Sequence, residues 1–192
     1  MLFKAIKMLW YFIVGNICAL FLYESKYIQG RYFEGKYFGI YSRGWQWVVN
    51  DFKGRVFLGI NKDIRLPISI GNRINNYKNL NFDPNDLQIF QGTGKYFQAQ
   101  DAKITIGRGC YVANNVGFIT TNHDIKDPSK HVEGKDIIIG ENCWIGMNSV
   151  ILPGVVLGPN TTVGAGSIVT KSFPEGYCVI VGNPARVIKK LS

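Results

Sequence analysis

Apolar and polar positions in the C-terminal half of this chain repeat with a period of six. Ile139, Ile145, Ile151, Leu157, Val163 and Val169 recur at every sixth position without a slip. Glycine follows four of them, at Gly140, Gly146, Gly158 and Gly164. A small or β-branched side chain stands four positions after each of the first five, at Cys143, Ser149, Val155, Thr161 and Ser167. A helix repeats at 3.6 residues and a strand at 2, so neither accounts for six. The pattern predicts a parallel β-helix in which each hexad forms one short face of a three-sided coil. The aliphatic points inward, the small residue fills the tapering interior, and the glycine is expected to permit the turn. Three hexads close one coil, so residues 139–174 supply two.

The same period holds upstream at Ile106, Val112 and Phe118, with Gly107 and Ala113 following the first two and Cys110 and Val116 in the small inward slots. It lapses for about fifteen residues and resumes at Ile139. A lapse in a repeat fold is an insertion, and insertions map to loops that often bind something. The inserted loop, 121–135, contains both histidines of the chain, His123 and His131. Residues 59–100 read as irregular early coils, with Ile70-Gly71 a good hexad start and 90–98 a strand and turn.

The N-terminal part has a different pattern. Residues 8–23 carry no charge, with Lys4 and Lys7 before them and Glu24 and Lys26 after. This predicts an apolar helix over 8–23. Three readings are open: a helix lying on the inner membrane face, a helix packed on the coil or in an oligomer interface, or a membrane span, for which sixteen residues fall short of about 20. Residues 27–58 mix aromatics (Tyr27, Tyr32, Phe33, Tyr37, Phe38, Tyr41, Trp45, Trp47, Phe52, Phe57) with Lys and Arg. A solenoid needs its open end covered, so this segment is expected to be a cap, with membrane contact as an addition. The organisation expected is therefore an extension over 1–58, a coil domain over 59–180 with the loop 121–135, and a tail over 181–192.

Composition refines this picture. With 46% hydrophobic and 18% charged residues in 192, the chain is globular and not disordered. The net charge of +9 favours an anionic partner, but no nucleic-acid-binding signature accompanies it, so nucleic acid is not expected. Cys18, Cys110, Cys143 and Cys178 show no metal-ligand spacing and read as reduced, buried thiols of a cytosolic protein. His123, at the root of the insertion, is the candidate general base, since histidine titrates near neutral pH. His131 reads as a loop histidine whose role stays open.

The stretches ITTNHD, IGENCWIGMNSVILPGVVLGPNTTVGAGSIVTKSFPEG and VGNPARVIKK resemble the hexapeptide-repeat acyltransferases. More narrowly, they resemble O-acetyltransferases of bacterial sugars and surface polysaccharides, kin of galactoside, maltose and streptogramin acetyltransferases, over about residues 100–190. The resemblance implies an all-β fold, a left-handed parallel β-helix with an N-terminal helical and aromatic extension, against the usual right-handed crossover. It implies a homotrimer with each active site between neighbouring coils, acetyl-CoA as acyl donor, and no metal. It assigns His123 as the base that takes the acceptor hydroxyl's proton, with direct attack on the thioester. Asp101 falls where related enzymes keep an acceptor-binding aspartate, and Tyr111 and Asn114 lie near the expected groove.

Trp144, Gly146, Met147, Ala165 and Gly166 match positions along the CoA arm, Met147 replacing a serine that related enzymes often carry. Thr170 and Lys171 match the adenine end, and Lys171 and Arg186 are candidates for the CoA phosphates. The implied partner is a glycan or a lipid-linked sugar, met in the cytoplasm at the inner membrane face, with peripheral membrane contact through residues 1–25. A γ-class carbonic anhydrase would need three histidine ligands per zinc site, and the chain has two histidines. A sugar nucleotidyltransferase would need a glycine-rich nucleotide-binding domain ahead of the coil. An N-acetyltransferase on an amino sugar and a non-catalytic scaffold remain the alternatives.

Overall fold

The computed structural model describes residues 2–191. Three sheets carry the C-terminal three-fifths of the chain. The first stacks Arg73–Ile74, Tyr96–Gln98, Gly117–Ile119, Val150–Ile151 and Ile168–Val169. The second stacks Leu80–Phe82, Ile104–Ile106, Ile137–Ile139 and Val156–Leu157. The third stacks Tyr111–Val112, Trp144–Ile145, Thr161–Val163, Cys178–Gly182 and Ala185–Lys190. From Ile104 to Val169 the chain visits second, third and first sheet in rotation, and strands one coil apart pair in parallel.

The six-residue period maps onto three inward columns. Ile106, Ile139 and Leu157 are register partners in the second sheet. Val112, Ile145, Val163 and Ile180 form the column of the third, and Phe97, Phe118, Ile151 and Val169 that of the first. The aliphatics from Ile139 to Val169 are all buried, as are Cys143, Ser149, Val155, Thr161 and Ser167. Burying each such aliphatic contributes roughly 1.5–3 kcal/mol, so the stack of columns is the main source of stability.

The glycines after the aliphatics have a different role from the one their position suggested. None of Gly107, Gly140, Gly146, Gly158 or Gly164 has a positive φ. The left-handed corner residue stands two positions later: Gly109, Asn115, Asn142, Asn148, Gly154, Asn160 and Gly166, with φ between 55° and 80°. Asparagine tolerates this region better than most residues. Gly140 is needed for closeness instead, since a Cβ there would lie 2.6 Å from Pro159 N and 2.7 Å from Gly158 C on the next coil. Gly140→Ala is therefore expected to lower stability by about 1–3 kcal/mol. Gly117→Ala, whose new Cβ would meet nothing closer than 3.7 Å, is expected to cost less than about 1 kcal/mol. Denaturant unfolding of the two variants checks the contrast.

Three features of the extension and tail depart from the sequence reading. The apolar helix, α1, runs Leu2–Leu22 rather than 8–23, because Lys4 and Lys7 are good helix formers and their side chains reach solvent. The aromatic segment contains a second helix, α2, Arg43–Leu58, despite its β-branched and aromatic run. It ends on left-handed Gly59, whose N–H donates to Gly54 O. Residues 185–190, read as tail, form the antiparallel partner of Cys178–Gly182.

An aromatic series joins extension to coil. Tyr27 stacks on Phe82 at 5.4 Å, Phe82 packs edge-on to Phe90, and Phe90 meets Phe97, which stacks on Phe118. Below it, Asp51 Oδ2 accepts from Arg55 Nη2 at 2.8 Å and Nε at 3.0 Å, from the Tyr23 hydroxyl at 2.7 Å and from Ile68 N–H at 3.3 Å. Tyr23, Asp51 and Arg55 are all buried, so one carboxylate ties α1, α2 and the first coil together.

Lys95 is a further buried charge, 3% exposed. Its Nζ donates to Ile89 O at 2.8 Å and to Gln91 O. Desolvation pushes its pKa down to about 8. Between pH 8 and 10 the unfolded chain thus holds a proton here that the folded chain has lost, so this group makes stability rise with pH across that window. Lys95→Met is expected to remove the rise, worth on the order of 3 kcal/mol, as measured by unfolding of wild type and variant at both pH values.

Candidate active site

The loop 121–135 leaves the first sheet after Gly117–Ile119 and returns to the second at Ile137–Ile139. Its root is anchored by Gln98 on the preceding coil, whose Oε1 accepts from Thr120 and Thr121 N–H at 3.0 Å each. The Thr120 hydroxyl donates to Gln98 O at 2.6 Å. Within the loop, Asp124 Oδ1 accepts from Lys126 and Asp127 N–H, and Asp127 accepts from Ser129 N–H and Oγ and pairs with Lys130. Asp124 N–H donates to Lys130 O and Val132 N–H to Asn122 O. The result is a small hairpin that opposes His123 to His131, with ring centroids 4.4 Å apart and planes tilted 35°.

His123 Nδ1 lies 2.7 Å from Pro128 O. A carbonyl can only accept, so Nδ1 carries the hydrogen and Nε2 the lone pair. The ring is exposed and its Nε2 is the basic nitrogen. This fixed tautomer and orientation are what a general base needs. Beside it, the Thr121 hydroxyl is buried without a hydrogen-bond partner among the described residues.

The other candidates fall at the two edges of the first sheet. At the edge leading to the second sheet, Asp101 lies exposed in the bend before Ile104–Ile106. His123 lies one coil further on, and Thr170 and Lys171, both exposed, two coils beyond that. Lys171 Nζ sits 5.6 Å from the Phe173 ring centroid.

At the opposite edge, Tyr111 and Trp144 are register partners on the third sheet, 60% and 56% exposed, with Thr162 next in the same row. Asn114, Met147, Ala165 and Gly166 lie at the corner that follows. Asn114 Oδ1 accepts from Thr93 N–H and its carbonyl from Asn148 N–H. Gly166 opens onto space, since a Cβ there would meet nothing within 4 Å. Gly146, expected in the same row, is buried, and its N–H donates to Val163 O at 2.8 Å. A Cβ on it would come within 2.7 Å of Ala165 N, so its smallness serves the coil. Arg186 stands apart on the edge strand Ala185–Lys190, exposed, its Nη1 donating to Ala185 O at 2.9 Å.

The chain therefore presents a histidine edge and an aromatic edge separated by a strand of two to three residues, on the order of 10 Å. The corner at Gly166 is open, and the exposed rings of Tyr111 and Trp144 stand in the strand row that leads to that edge. Gln98 and Pro128, which orient the loop and its histidine, were not among the residues singled out from sequence. One acts through a side chain on an earlier coil and the other through a backbone carbonyl, and neither leaves a motif.

Residues 136–171 match the family described as bacterial transferase hexapeptide (six repeats). Among curated proteins, the chain is 40% identical over 95 residues to the galactoside O-acetyltransferase of Escherichia coli, covering 48% of this chain and 46% of that protein. Among solved structures, it is similar to a maltose O-acetyltransferase from Clostridium difficile 630, at 36% identity, 63% and 66% coverage and a TM-score of 0.48. It is also similar to a hexapeptide-repeat acetyltransferase from Vibrio cholerae complexed with acetyl coenzyme A, at 29% identity, 52% and 55% coverage and a TM-score of 0.49. The chain spans about half the length of the curated relatives it matches.

Proposed function

We propose that the protein, whose residues 136–171 match the bacterial transferase hexapeptide family, transfers the acetyl group of acetyl-CoA to a sugar hydroxyl. The acceptor is a surface glycan or its lipid-linked precursor, met on the cytoplasmic side. His123 Nε2 takes the hydroxyl proton as the oxygen attacks the thioester carbonyl. The new C–O bond forms, the C–S bond breaks, and the proton passes to the departing CoA sulfur, with no covalent enzyme intermediate. A sugar hydroxyl is a weak nucleophile, so a positioned base and a bound thioester are what the step requires.

The observation that carries this reading is the Nδ1–Pro128 O bond, which holds His123 in the tautomer of a base. The 40% identity to a galactoside O-acetyltransferase supports the reaction class. In this reading the coil is left-handed and three copies assemble so that the histidine edge of one meets the aromatic edge of the next. Trp144, Met147, Ala165 and Gly166 then flank the pantetheine arm, Asp101, Tyr111 and Asn114 face the acceptor, and Thr170, Lys171 and Arg186 face the adenine end and its phosphates.

The test is thiol release from acetyl-CoA in the presence and absence of bacterial polysaccharide or lipid-linked precursor. Acceptor-dependent release is the expected result. Absence of both release and acetyl-CoA binding would leave a non-catalytic coil.

A further inference from the structure

Helix α1 leaves an apolar face uncovered along its whole length. Leu2, Ile6, Leu9, Ile13, Ile17 and Leu20 follow steps of three and four, which places them on one side, and they are 46–80% exposed. The opposite side is occupied. Met8, Gly15 and Cys18 are buried, Gly15 lies against Trp45 of α2, and Gln46 Nε2 lies 3.4 Å from Met8 Sδ. The end of α1 is tied down as well, by the Tyr23 hydroxyl on Asp51 and by Arg65 Nη1 donating to the carbonyls of Phe21 and Leu22.

Charge around this face is of one sign. No acidic residue occurs before Glu24, and residues 1–58 hold eight Lys and Arg against three Asp and Glu. Lys4 and Lys7 lie on the helix itself, and Lys53 Nζ sits 5.5 Å from the ring centroid of exposed Trp10. An apolar stripe flanked on one side by Lys7, Lys53 and the Trp10 ring, in a segment of net positive charge, matches an anionic bilayer surface. A second copy applied to the same face would bring the two sets of lysines together.

We propose that α1 lies flat in an anionic membrane leaflet, with α2 as the platform that holds it there, and does not cross the bilayer. At 21 residues the helix has the length to cross, about 31 Å. Crossing while packed on α2 would carry Gln46, Asn50 and Lys53 into hydrocarbon, where such groups are strongly disfavoured. The inference rests on the extension alone and is independent of the acyl-transfer reading.

The experiment is flotation of the full chain with phosphatidylcholine vesicles, with and without about a third phosphatidylglycerol. Binding is expected to be at least about tenfold tighter to the anionic vesicles. Ile13→Glu with Ile17→Glu should abolish it, and Lys7→Glu with Lys53→Glu should weaken it by about tenfold or more. These positions are exposed, so unchanged circular dichroism is expected of both variants. Quenching of Trp10 fluorescence by brominated lipids, with Trp10→Phe as the blank, should be strongest for bromines near the headgroups. Strongest quenching at the bilayer centre would overturn the flat orientation in favour of a span. Equal flotation with both vesicle types would overturn the anionic surface in favour of a purely apolar contact with lipid. Absence of flotation would overturn the membrane, and an oligomer that the Ile13/Ile17 variant dissociates would then put a second copy on this face.

Discussion

Replacing His123 by alanine is expected to lower acceptor-dependent acetyl transfer by roughly a hundredfold or more, the usual contribution of a general base. The substitution removes Nε2, the lone pair that Pro128 O fixes through Nδ1 at 2.7 Å, and in the proposed reaction it leaves the acceptor hydroxyl with only water to take its proton. Thermal stability should hold to within about 0.5 kcal/mol, because the ring is exposed and belongs to none of the buried columns. Loss of activity with unchanged acetyl-CoA affinity separates a base from a binding residue. If kcat falls less than tenfold, proton transfer runs through another group, and His131, its ring centroid 4.4 Å away, is the first to test.

Asp51→Asn should unfold the chain far more readily without touching that chemistry. The Asp51 carboxylate receives two guanidinium N–H groups, a phenol and a backbone N–H. Burial pushes its pKa up, while the Arg55 hydrogen bonds and charge oppose that rise. Burial likewise raises the Tyr23 phenol, helped by the Asp51 charge. With asparagine in place, Arg55 stays buried with its charge uncompensated, at a cost of about 3–5 kcal/mol. At about 2–4 °C per kcal/mol for a chain this long, the Tm should fall by on the order of 10 °C. Adding Arg55→Met to the same chain should restore part of the loss, since it removes the orphaned charge. A loss below about 1 kcal/mol would mean that water reaches the guanidinium.

The coil was legible because its constraint is local and repeated. Each aliphatic at a sixth position must fill a column, and the columns Ile106–Ile139–Leu157 and Val112–Ile145–Val163 follow from counting alone. Even the interruption was readable: Ile106 and Ile139 are register partners although 33 positions apart, against 18 for Ile139 and Leu157. The reason for the glycines was not readable, because the closeness that demands Gly140 is to residues on another coil. Helix α2 was missed for a related cause: its residues favour strands, and its helicity rests on packing against α1 and the buried Asp51–Arg55 pair. His123 could be picked out by its place at the insertion, whereas the carbonyl that orients it leaves no trace in residue identity.

The hairpin that closes the third sheet also bears on solubility. A coil of parallel strands ends in open edges, and an open edge is a template on which another chain can stack. Here the last strand, Ala185–Lys190, runs antiparallel to Cys178–Gly182, so a neighbouring coil arriving in parallel finds the wrong direction. It also finds Arg186, Lys189 and Lys190 exposed along that strand. At the other end, the extension with its aromatic series covers the first coil. Parallel stacking on the third sheet is thus opposed by reversed polarity and like charge, and the start of the coil is covered by an extension of different architecture.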